Sequence, residues 1–73
     1  MTGEPKRPTK ADRVSVAKFL RDEARNQRGY ADGDRLRAVD RTPDIVAYLQ
    51  KTARLHEAKA DRLERIADWM VSR

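Results

Sequence analysis

Few residues in this chain are equipped for chemistry, and most lie in one stretch, Leu55-His-Glu-Ala-Lys-Ala-Asp-Arg-Leu-Glu-Arg-Ile-Ala-Asp-Trp-Met70. His56 is the only histidine. An imidazole titrates near neutrality, so it could move a proton, act as a pH switch or ligate a metal. One histidine per chain would need symmetry mates or carboxylates to complete a metal site. Glu57, Asp61, Glu64 and Asp68 follow at alternating intervals of four and three. That spacing makes a single ridge along a helix, and such a ridge is ordinarily a salt-bridged or solvated face. Asp32 and Asp34 suggest the start of a calcium loop. Counting from Asp32, however, puts Pro43 where the closing glutamate belongs, and the idea fails. Ser15 and Ser72 are the only serines, and no glycine-rich phosphate loop is present. The expectation is a non-enzymatic protein with no cofactor and no metal, in which His56 is structural.

The elements that carry these residues read as helices throughout. Thr42-Pro43-Asp44 supplies an N-cap, a proline at the first helical position and an acid in the first turn. Neither glycine nor proline occurs between residues 44 and 71, so the spacing predicts a helix over 43–71. Twenty-nine residues at 1.5 Å each make a rod of about 43 Å. Upstream, Thr9 and Asp12 stand in the positions of a capping box, and a helix over about 10–28 is predicted, stopped at Gly29. Its apolar face holds Val16, Ala17, Leu20 and Ala24. Tyr30-Ala-Asp-Gly-Asp34 reads as a turn. Residues 34–41 have room for a short linking helix, with Leu36 and Val39 facing inward. Residues 1–8 read as a flexible tail, in which Pro5-Lys-Arg-Pro8 matches the minimal PxxP pattern. The organisation is thus one helical domain over 9–73, behind that tail.

Composition limits what such a domain can be. Leu, Ile, Val and Phe number 13 of 73 residues, and 40% of the chain is charged. A core this thin usually needs a second chain to complete it. There is no cysteine, so disulfides and thiolate metal sites are excluded. The longest apolar run, Ile45 to Leu49, is far short of a membrane span. The expected location is the cytoplasm. Arginine outnumbers lysine 12 to 5, the bias of a GC-rich genome, which points to a bacterial or phage source.

On the long helix, Val46, Leu49, Ala53, His56, Ala60, Leu63, Ala67 and Met70 form a heptad stripe. Its alanines favour close approach of another helix. A second stripe, Tyr48, Leu55, Ile66 and Trp69, lies about 100° around the rod. The combined arc is too wide for one neighbour. Lys10, Lys18, Arg21, Arg25 and Arg28 form a basic ridge on the first helix. In an antiparallel pair this ridge falls beside the acidic one, which favours a hairpin over two long helices packed acid to acid. The fold expected is therefore an all-α antiparallel hairpin completed by dimerisation. Its seam is Leu49, Ala53, His56, Ala60, Leu63, Ala67 and Met70. Tyr48, Leu55, Ile66 and Trp69 remain for a second copy or a protein partner.

The functional expectation is a small helical interaction or regulatory module. It would act by self-association and by docking helices onto a protein partner. The alternative is a basic nucleic-acid-binding regulator using the Lys10/Lys18/Arg21/Arg25/Arg28 face, since the net charge is +5. With a turn beginning at Gly29, Lys10 and Lys18 fall near the acids. Arg25 and Arg28 are then left free for phosphate or an acidic partner.

Overall fold

The structure, a computed structural model, describes residues 6–72. The expected tail up to Pro5, and with it the first proline of the PxxP match, lies outside the described residues, as does Arg73. Two helices form an antiparallel hairpin: α1, Lys10–Arg37, and α2, Pro43–Val71. The radius of gyration is 17.6 Å, against about 11 Å for a compact domain of this length. The described residues form a two-helix rod.

The two helix starts obey the signals at their ends. Thr9 and Asp12 close a reciprocal capping box: Asp12 N–H donates to Thr9 Oγ1 (3.1 Å) and Thr9 N–H donates to Asp12 Oδ2 (2.9 Å). The Thr9 backbone N–H, and after it the Thr9 side chain, hold the Asp12 carboxyl below its ordinary range. Thr42 is the N-cap of α2, and Pro43 opens the helix, but the Thr42 hydroxyl makes no capping bond. The proline and the acid of Asp44 suffice.

The end of α1 lies elsewhere than expected. The helix runs through Gly29, Tyr30 and Gly33 to Arg37, so the predicted stop, the turn and the first half of the predicted linking helix belong to one continuous rod. A helical glycine costs about 1 kcal/mol relative to alanine. That is outweighed here because the heptad seam continues past it. Ala31 extends the line of Ala17 and Ala24, Asp34 extends that of Leu20 and Gln27, and Ala31 and Asp34 are both buried. Leu36 and Val39 are strongly exposed rather than inward-facing. The chain reverses at residues 38–42. Asp40 takes a left-handed conformation there (φ 60°), which aspartate tolerates better than most residues.

The core between the helices consists of small residues. Ala17, Ala24 and Ala31 of α1 and Ala53, Ala60 and Ala67 of α2 are fully buried, and they recur every seven residues on both helices. Leu20, Leu49, Leu63 and Met70 are only half-buried at its edges. Among the described residues no large side chain is fully buried.

Candidate interaction surface and the seam beneath it

The hairpin has two unlike flanks, and heptad position decides which residues fall on each. Arg21, Arg28 and Arg35, seven residues apart on α1, face the acidic ridge of α2. Arg21 pairs with Asp68 (2.9 Å), Arg28 with both Asp61 (2.8 Å) and Glu64, and Arg35 grips Glu57 through two bonds of 2.7 Å. The bond from Arg35 holds the Glu57 carboxyl below its ordinary range, and the pairing raises both Arg28 and Arg35. All these groups are more than a third exposed. Solvent screens each pair so that it stabilises little, and the row mainly sets orientation and register.

The register corrects two expectations about the basic ridge. Because α1 extends to Arg37, the whole of α1 slides relative to α2. Arg28 is consequently engaged by two carboxylates rather than free. Lys18 pairs with Asp22 on its own helix (3.3 Å) rather than with the acidic ridge. Arg25 and Lys10 are exposed, and among the described residues neither makes an ion pair.

Within the seam, His56 has polar partners that the sequence did not reveal. Its Nδ1 lies 2.6 Å from Gln27 Oε1, while Gln27 Nε2 donates to Glu23 Oε1 (3.1 Å). With the amide oriented this way, the imidazole donates through Nδ1–H. The ring of Tyr30 lies against it, centroids 5.5 Å apart. Asp34, 5% exposed, accepts from Thr52 Oγ1 (2.8 Å) and from Arg37, and its Oδ2 lies 3.9 Å from His56 Nε2. Protonating His56 would thus place an N–H opposite a carboxylate. The cluster is satisfied from both helices, and it specifies a register that a row of alanines alone leaves loose. Asp34 escapes sequence reasoning because a helix ending at Gly29 leaves it in a turn, and the register that follows from that ending hides Gln27 and Thr52 as members of the cluster. The seven-residue recurrence of Leu20, Gln27 and Asp34 is the signal that points to them.

The opposite flank is apolar and open. On α2 it carries Tyr48, Leu55, Ile66 and Trp69, which are 66%, 61%, 43% and 57% exposed. On α1 the same side carries Val16, Phe19 and Tyr30, all exposed. Near the far end of α2 a shallow depression is lined by Arg7, Pro8, Arg13 and Trp69. Among the described residues no group of three or more histidine or carboxylate side chains is placed to hold a metal ion. No helix in the described residues is long and apolar enough to cross a membrane.

Comparison with known proteins found no matching family model, no matching curated protein and no matching solved structure.

Proposed function

We propose that the protein is a small non-enzymatic helical interaction module of the cytoplasm, acting by self-association and by docking helices onto a protein partner. One observation carries this reading. Among the described residues every fully buried apolar residue is an alanine, while Phe19, Tyr48, Leu55, Ile66 and Trp69 stand in solvent. Burying a side chain of that size contributes about 1.5–3 kcal/mol, and alanine far less. Most of the stabilisation available to this sequence is therefore unrealised in the isolated chain, and docking along the apolar flank would recover it. Tryptophan and tyrosine near the two ends of the flank are residue types enriched among interface anchors.

A two-layer rod provides little concavity for a substrate, which supports the non-catalytic part of the reading. The competing nucleic-acid reading loses ground because Lys18, Arg21 and Arg28 are engaged by carboxylates. Light scattering at micromolar concentration tests the proposal. The expected mass is that of a dimer or larger assembly. A helical monomer that melts cooperatively would overturn it.

A further inference from the structure

We infer that the apolar flank is covered by a second copy of the chain whose interhelical loop lies at the same end, in a four-helix arrangement with the two-fold axis parallel to the helices. This inference rests on the self-association proposed above and specifies its geometry.

The flank is arranged in levels along the rod. The cross-helix bonds Gln27–His56 and Asp34–Thr52 fix the pairing of the two helices. That pairing puts Val16 and Phe19 of α1 level with Ile66 and Trp69 of α2, and Tyr30 level with Leu55. Between these two apolar levels is a charged one. It holds Glu23 on α1, seven residues from both Val16 and Tyr30, and Lys59 and Arg62 on α2, seven residues from Ile66 and from Leu55 and Trp69 respectively. Among the described residues, Lys59 and Arg62 make no ion pair, and Glu23 binds only Gln27 of its own helix. Three charges thus sit between the two apolar levels, with the exposed Asn26 of α1 beside them, two of one sign on α2 and one of the other on α1.

The position of these charges selects the symmetry. A two-fold axis parallel to the helices leaves every residue at its own level and lays α1 of one copy over α2 of the other. Each Glu23 then meets the copy's Lys59 and Arg62, each apolar level meets an apolar level, and no register remains to be chosen. A two-fold axis across the helices, with loops at opposite ends, lays α2 over α2. Lys59 and Arg62 lie close to the midpoint of α2, so all four cations of the two copies would be brought together at the centre of the contact. Like charges juxtaposed in an interface disfavour the wrong arrangement. The opposite flank offers no competing contact, since its arginines and carboxylates already satisfy one another within one hairpin.

The chain lacks cysteine, so a single nitroxide label can be placed at will. With label on an Arg41→Cys variant, beside the loop, pulsed electron-spin spectroscopy of the dimer should give a separation below about 25 Å. Loops at opposite ends would put the labels about 40 Å apart, one helix length. Dimers with the long separation would overturn the inference while leaving self-association standing. A wild-type protein that stays monomeric and helical at high micromolar concentration would overturn both. Charge reversal gives an independent readout. Glu23→Lys should weaken the dimer on the order of tenfold, and the triple variant Glu23→Lys/Lys59→Glu/Arg62→Glu should regain it. A dimer indifferent to Glu23→Lys, with helicity unchanged, contradicts the proposed contact.

Discussion

Replacing His56 with leucine alone should weaken the hairpin, and replacing it together with Gln27 should strengthen it. The seam line Leu49, His56, Leu63, Met70 accommodates a large apolar group, and the His56 side chain is about two-thirds buried at 35% exposure. Leucine there should therefore gain about 1–2 kcal/mol from burial. The substitution leaves Gln27 Oε1 without its donor in a residue only 6% exposed, at a cost of about 1–3 kcal/mol. It also removes the ring contact with Tyr30, worth about 0.5–1.5 kcal/mol. The net effect of His56→Leu is a loss of about 1 kcal/mol. Gln27→Leu alone should cost less, because the exposed side of the imidazole can turn toward water. In the double variant neither orphan remains, and two apolar side chains occupy the seam. It should exceed the wild type by about 1 kcal/mol, a coupling of about 2 kcal/mol between the sites. Asp34 retains Thr52 and Arg37 in all four proteins, so the cycle isolates the His56–Gln27 pair. Urea unfolding of the four proteins at equal concentration measures it. Effects that add to within about 0.5 kcal/mol would show that the two side chains act independently, and would refute the reasoning.

Three further outcomes are expected from particular residues. Gly29 lies mid-helix with open space around it, so Gly29→Ala should raise stability by about 0.5–1 kcal/mol in thermal or urea melts; a loss would mean the helix does break there. The carboxyls of Asp12 and Glu57 are both held below their ordinary values, so their contribution is complete above the unfolded values and is lost as pH falls through the folded ones. Stability should decline on the acid side of about pH 4, and Arg35→Gln should shrink that decline by removing the partner of Glu57. Duplex DNA binding should be weak, unselective and abolished by about 0.15 M salt in a shift assay, because Lys18, Arg21 and Arg28 are neutralised within the chain.

The hairpin itself is legible in the sequence because its signals are redundant. Thr9 with Asp12 and Thr42 with Pro43 mark two helix starts, and alanines seven residues apart on α2 require a close neighbour. Basic and acidic ridges of matching sense fix the antiparallel arrangement. The end of α1 is not legible by local rules. Gly29 and the Tyr30–Asp34 stretch carry turn chemistry, yet Ala31 and Asp34 are buried against α2, and tertiary contact overrides local preference. That single misplacement propagates. It shifts the register, leaves Arg28 without its carboxylates, puts Lys18 beside the wrong acids and hides Gln27 and Asp34 from His56. Continuing the heptad frame of Ala17 and Ala24 by one more repeat finds all of them.

The most direct test of docking along the apolar flank is the dependence of the melting temperature on protein concentration, tracked by circular dichroism over a hundredfold range. If folding is coupled to association through Tyr48, Leu55, Ile66 and Trp69, a hundredfold increase adds about 2.7 kcal/mol by mass action. The midpoint should then rise by about 5–10 °C for a dimer of this size. A sharp transition with the same midpoint at every concentration would mean that the six-alanine hairpin is stable alone, and would contradict the proposed role of the flank.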